Sequence, residues 1–255
     1  MYGDKFILIP KYFLILSGFW PFKITENKSL EKLYKIYSKC QTYAYILFIV
    51  SLLINLIVLI VEHNQPTRLI GSINILIIVG ETCIKLVLFQ VKKIPNMFLH
   101  ILQNEYNLNN SNDPEVKTCY NKQISYCRKV NLCQFLVTLT SCTFFTLVSL
   151  LQVIASEDMS EFKDQPFMHD IWYPFKREKN MIWVVGLNLF AVTQGLFFNT
   201  ATQTTFIGLM IYATARLEIL GIRLRKFDWI AKEMNDGDVL RTVKELVVEH
   251  QKLIE

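Results

Sequence analysis

The chain has 255 residues, a net charge of +5 and 52% hydrophobic residues, with a mean hydropathy of +0.28. Soluble domains are about 45–50% apolar. Here the excess gathers into four runs, each longer than the ~18 residues that mark a membrane span. This excludes an ordinary soluble domain, and no basic run interleaves with aromatics as a nucleic-acid surface requires.

Residues 1–39 read as a cytoplasmic, interfacial segment. The apolar stretch Tyr12 to Trp20 is too short to span, is broken by Gly18 and ends at Pro21. Trp20 and Phe22 suit the headgroup boundary. No small-residue cleavage site follows, so a signal peptide is not indicated.

The first span is expected from Cys40 to Val61, with Ser51 and Asn55 as its main polar groups. The loop Glu62 to Arg68, with Pro66 as breaker, is short enough to make the second span its antiparallel neighbour. That second span, Leu69 to Val91, carries Glu81 and Lys85. They lie i, i+4 with the acid first, the favourable order for an intrahelical pair. A lone charge at mid-bilayer costs ~2.5–3.5 kcal/mol on insertion scales, so Glu81 and Lys85 are expected to form an intramembrane charge pair. A structural role for it outweighs a gating one.

Asp113-Pro114-Glu115 is a helix start, with Asp as N-cap, Pro in the first helical position and Glu in the first turn. The helix begun there can run through the third span, Leu132 to Ala155. That span is rich in Ser and Thr, which let membrane helices approach closely. The loop Ser156 to Asn180 holds Pro166, Phe167, Trp172, Tyr173, Pro174 and Phe175. It suits a lid on the membrane surface.

Met181 to Ala215 follows without a single charge over its 35 residues. One helix from Met181 to Trp229 would be ~74 Å long, more than twice the bilayer core. The excess carries a stripe at Phe206, Leu209, Met210, Ala213, Leu217, Leu220 and Leu224, expected to pack on other helices in water. Asn235-Asp236-Gly237 reads as a turn before a last helix, on which the chain stops, as a fragment would. Three segments result: 1–39, a four-span region 40–215, and a truncated cytoplasmic helical anchor 216–255.

Charge orients the bundle. The N-terminus, residues 92–131 and the tail after Ala215 hold 21 of the 27 Lys and Arg, against five in the two intervening loops. By the positive-inside rule the N-terminus is cytoplasmic. Sequons at Asn27-Lys28-Ser29 and Asn109-Asn110-Ser111 argue the other way, and 21 against five outweighs them. No cysteine falls in an outer loop, so no outer disulfide is available. There is no zinc-protease helix, nucleophile elbow or phosphate-cradling loop. His63, His100, His169 and His250 are scattered, so neither an enzyme nor a metal or cofactor is implied.

The chain resembles the insect odorant receptors. The resemblance rests on Gly18-Phe19-Trp20-Pro21, on Trp172-Tyr173-Pro174-Phe175, on a long fourth span entering Ala215-Arg216-Leu217-Glu218-Ile219-Leu220, and on His250-Gln251. It implies an all-α polytopic membrane bundle, here four transmembrane helices of a seven-span receptor, with long cytoplasmic helix extensions. It further implies a plasma-membrane receptor of olfactory sensory neurons that binds small volatile ligands among membrane lipid. Such a subunit would assemble with a shared co-receptor as a heterotetrameric, ligand-gated cation channel. The family's pocket lies in the outer half of the bundle. Carried onto this chain, the candidate ligand-binding residues are Ile73 and Ile77, then Phe145, Ser149 and Gln152, then Trp183, Leu187 and Asn188.

The family's later spans, with the pore helix, are expected to lie beyond Glu255, so the chain alone is expected neither to conduct nor to be stable in isolation. A gustatory receptor is the alternative within sensory receptors. A G-protein-coupled receptor or a tetraspan structural protein fits less well, since both place disulfide cysteines in outer loops.

Overall fold

The computed structural model describes residues 6–20, 22–24, 26–62, 66–90, 93–109, 113–155 and 169–231, with scattered positions between 241 and 251. The loop Asn110 to Asn112, the first half of the aromatic loop, the turn Asn235-Asp236-Gly237 and His250 lie outside the described residues. The described helices follow in the order α1 Leu8–Leu16, α2 Lys28–Glu62, α3 Pro66–Gln90, α4 Lys93–Asn109, α5 Pro114–Ala155 and α6 Met181–Ala231. No strand occurs among the described residues. Among the described residues three helices are long and apolar enough to cross a membrane: Lys28–Val61, Pro114–Leu151 and Met181–Phe227. The fold is an all-helical membrane bundle.

Local chemistry sets several boundaries. Gly18 (φ +82°) ends α1. The Gly18 and Phe19 amides donate back to Ile15 and Leu14 carbonyls at 3.1 and 2.8 Å, the Schellman pattern that wants glycine in the left-handed position. Gly18 is also where α1 meets α2: a Cβ there would lie 3.0 Å from Ser38 Cα. Asn27 caps α2, its Oδ1 accepting the Ser29 N–H at 2.9 Å. Asp113 caps α5 in the same way, through the Glu115 N–H at 3.0 Å. α5 therefore begins at Pro114, where the Asp-Pro-Glu signal predicts it.

Two elements depart from the sequence reading. α2 starts 12 residues before the expected span, because an N-cap and good helix formers precede the apolar run. α4 forms in the region left without a helix. Its buried Phe98, Ile101, Glu105 and Leu108 fall at steps of three and four, a stripe hidden in a polar composition.

The chain divides into two compact units, and α5 and α6 contribute residues to both. In the first (Met1–Ile9, Asn96–Leu132, Thr204–Glu255), Phe6 stacks on Tyr120 at 5.9 Å and meets Tyr212 edge-on at 5.5 Å. Its N–H donates to Glu105 Oε1 at 3.2 Å, which gives that fully buried carboxylate a partner. Gln123 Nε2 donates to Glu218 at 2.8 Å, joining α5 to α6.

The packing face of α6 here differs from the expected stripe. Tyr212, Ala215, Arg216, Ile219, Leu220 and Ile222 are buried, whereas Met210, Leu217 and Leu224 are exposed. Only Leu220 of the stripe is fully buried. The buried face is the one on which the Tyr212 ring meets Phe6, a contact that hydrophobic periodicity alone does not weigh.

At the start of α5, Lys226 Nζ donates to both Asp113 oxygens at 2.8 Å and lies 2.9 Å from Glu115. The Lys226 hydrogen bond holds the Asp113 carboxyl below its ordinary pKa. A depressed carboxylate pKa contributes stability above the unfolded value of ~3.9 and loses it as pH falls through the folded one. In pH-dependent melting, wild type is therefore expected to exceed Asp113→Asn by a constant margin above pH ~5. That margin should close as pH drops below ~4. A margin independent of pH would contradict the pairing.

Candidate functional site

In the second unit (Pro10–Pro95, Cys133–Gln203), α2 and α3 pack as neighbours, as the short loop between them requires. The end of this unit nearest the aromatic loop is built around α6. Met181, Val184, Val185, Leu189 and Val192 turn one face of α6 into a cluster with Leu52, Ile171 and Tyr173. Phe48, Ile75, Leu76 and Val79 pack against the same cluster. Ile171, Tyr173 and Phe175 of the aromatic loop thus pack down onto the helices. The Trp172 N–H donates to the Ser51 carbonyl at 3.2 Å, which as a mid-helix C=O has a second lone pair to give.

Asn188 is the polar centre. It is fully buried, its Oδ1 accepts the His169 N–H at 3.1 Å, and its Nδ2 donates to the Val184 carbonyl at 3.0 Å. Nδ2 also donates to the Tyr173 hydroxyl. An amide with all these groups satisfied is stable in an apolar surround, where each unmet group costs ~1–3 kcal/mol. Burial pushes the Tyr173 phenol up to about 12, so it stays neutral at physiological pH.

Beside it sits an ion cluster. Asp170, 5% exposed, receives Arg68 Nη2 at 2.7 Å and Arg177 Nη2 at 2.9 Å. Arg177 also donates to the Ile171 carbonyl at 2.8 Å and lies 5.2 Å from the centre of the Tyr173 ring. One carboxylate between two guanidiniums, with a cation–π contact behind, ties the loop to the start of α3. Asp170, Arg68, Arg177 and His169 were not among the residues singled out from sequence. The available signal was a lone acid beside the aromatic motif with a lone arginine in the other short loop.

The residues singled out from sequence are dispersed. Asn188 and Ser149 are buried. Trp183 and Phe145 are 68% and 66% exposed, and Ile73, Ile77 and Leu187 are also exposed. The side chain of Gln152 lies outside the described set. On α3 the inward face is Ile75, Leu76 and Val79, one to two positions away from Ile73 and Ile77. Glu81 and Lys85 do meet: Lys85 Nζ contacts the Glu81 carboxylate one turn earlier.

Deeper in this unit, Phe198 is fully buried. It meets Tyr45 at 4.7 Å and Phe19 at 5.0 Å, both nearly edge-on, so the Gly18-Phe19-Trp20 motif anchors α1 to the bundle. Gln194 Nε2 donates to the Gln41 carbonyl and Oε1 at 2.8 and 2.9 Å. A cavity of about 100 Å³ lies beside this pair, small against the ~300–1,000 Å³ typical of ligand pockets. Among the described residues no group of His, Cys, Asp or Glu could hold a metal.

The profile of the family described as 7tm Odorant receptor matches residues 65–255. No curated protein sequence matches the chain. Two solved structures of the insect olfactory receptor OR5 from Machilis hrabei share the fold. The one in complex with eugenol superposes with a TM-score of 0.73 at 17% identity, and a second with a TM-score of 0.64 at 16% identity. Each comparison covers 98% of this chain and 62% of the solved chain, so this chain spans less than two thirds of their length.

Proposed function

The chain belongs to the 7tm odorant receptor family, and on that premise we propose that it recognises the ligand within an odorant receptor subunit. The family is one of receptors rather than enzymes. The complete subunit detects small volatile molecules and, as a heterotetramer with the shared co-receptor, gates a cation channel. It resides in the plasma membrane of olfactory sensory neurons, with its N-terminus cytoplasmic. The four spans are those of α2, α3, α5 and α6, flanked by an interfacial segment 1–39 and a cytoplasmic anchor 216–255.

The observation that carries this reading is Asn188. On the charge-free stretch of α6, this fully buried amide binds Tyr173 and the His169 N–H, and so holds residues 169–175 over an otherwise apolar helix end, the kind of surround that suits a small apolar ligand. Eugenol in a receptor of the same fold supports a small-molecule ligand. Asn188, Ser149 and Gln152 supply the few polar groups. Ile73, Ile77, Phe145, Trp183 and Leu187 supply the apolar wall, met by the ligand or by the receptor's further helices. The Glu81–Lys85 pair neutralises two charges within the membrane.

The test is electrical. The complete coding sequence, co-expressed with the co-receptor, is expected to give a cation current with at least one volatile in a chemically broad panel. Asn188→Ala is expected to raise the half-maximal concentration about tenfold or more, equivalent to ~1.4 kcal/mol. Surface-expressed receptor that stays silent across the panel would overturn the reading, as would an N-terminal tag labelled from outside intact cells.

A further inference from the structure

The cytoplasmic end of α2 carries a feature that odour recognition does not use. Lys28, Lys32, Lys35 and Lys39 follow one another at steps of four, three and four. At ~100° per residue they fall within about 60° of arc, a single edge of the helix. All four are exposed, and none takes part in an ion pair among the described residues. The nearest acid on the helix, Glu31, accepts the Ile24 N–H at 3.3 Å, which turns it toward the preceding loop. Glu26 in that loop is taken by Lys23 at 2.8 Å.

The same edge continues as Tyr43, Ile46, Val50 and Ile57, each exposed and apolar. One continuous face therefore changes from four cations to hydrocarbon near Cys40. From Cys40 to Val61 the rise is ~33 Å, which matches a bilayer core of ~30 Å. The apolar part faces lipid tails, and Lys35 and Lys39 stand at the level of the phosphates. Lys28 and Lys32 follow ~16 Å of helix into the adjoining ionic layer.

We propose that this lysine edge binds the phosphate headgroups of anionic lipids in the cytoplasmic leaflet, tethering the start of α2 to the membrane surface. Four cations immediately outside a span, on the face that already meets lipid, fit a negatively charged surface. Each lysine near such a surface contributes about fivefold in binding, screened by salt over ~8–10 Å. The cytoplasmic assignment rests on the proposed topology, whereas the headgroup chemistry rests on α2 alone.

The test uses the complete receptor, purified with its co-receptor and reconstituted in nanodiscs of phosphatidylcholine, with or without a few per cent of photoreactive phosphatidylserine or phosphatidylinositol bisphosphate. Anionic lipid is expected to crosslink within residues 28–39. The yield should fall at high salt and drop more than tenfold when all four lysines become glutamine. The fourfold Lys→Arg variant, run alongside to show that the segment still folds, is expected to retain the label. Equal labelling of wild type and the glutamine variant would overturn the proposal. So would full competition by soluble inositol phosphate, which would assign the edge to a free anion. Both nanodisc leaflets are anionic, so this result is independent of orientation. Labelling in nanodiscs together with an externally accessible N-terminal tag in cells would retain the headgroup chemistry and overturn the cytoplasmic placement.

Discussion

Replacing Asp170 by alanine is expected to destabilise the loop-bearing end of the bundle by about 3 kcal/mol, the lower end of the range for removing one partner of a buried ion pair. The carboxylate is an acceptor that Arg68 and Arg177 share, and their side chains are 14% and 23% exposed. Without it, two cations face each other in a poorly solvated site. The loop must then detach or admit water. Either Arg68→Ala or Arg177→Ala alone should cost less, because Asp170 keeps one guanidinium. Thermal unfolding of the purified protein, with protease access at residues 169–180, reads both effects. An Asp170→Ala variant that melts like wild type and keeps its loop protected would show that the cluster contributes nothing.

Phenylalanine 198 carries the second large effect. Phe198→Ala is expected to cost about 3–5 kcal/mol, since it deletes a fully buried ring between Tyr45 and Phe19. The hole opens where α1, α2 and α6 meet, and Gly18 with its close approach to Ser38 leaves little room for collapse. Phe145→Ala is the matched control. Its ring is mostly exposed, so stability should change by less than about 0.5 kcal/mol, while the odour response of the complete receptor should shift. Equal destabilisation by the two substitutions would mean that Phe198 does not pack as described.

The boundaries of α5 and α6 were legible because their determinants are local. An N-cap Asp followed by Pro and Glu starts α5 whatever surrounds it. A 35-residue stretch without a charge leaves α6 no reason to break. The antiparallel pairing of α2 and α3 follows from a loop too short for anything else. Within the candidate site, Asn188 was reached as a position carried over from the resemblance, and the Trp172-Tyr173-Pro174-Phe175 motif marked the loop segment that covers it.

The facing of the helices was not legible. α6 is apolar nearly all round, so its composition marks no preferred side. Its buried side in the second unit is the one on which Asn188 and Gln194 find their partners. For the same reason Trp183 and Leu187 lie outward while Val184 and Asn188 lie inward. Lys93–Asn109 escaped notice because its apolar stripe is thin, and it becomes a packed helix only when Phe98, Ile101 and Leu108 find neighbours. Arg68 and Asp170 are 102 residues apart, and nothing near either residue announces the other.

By itself, the sequence determined what short-range physics governs: membrane residence, the start of α5, the lengths of α5 and α6, the hairpin of α2 and α3, and membership of a receptor family. Only the tertiary structure decided which faces are inside, which loop residues clamp the site and which amide becomes its centre. Capping and hydropathy act over a few residues along the chain. Ion pairs, buried amides and ring stacks depend on groups brought together from far apart, and their energies exist only once the chain has packed.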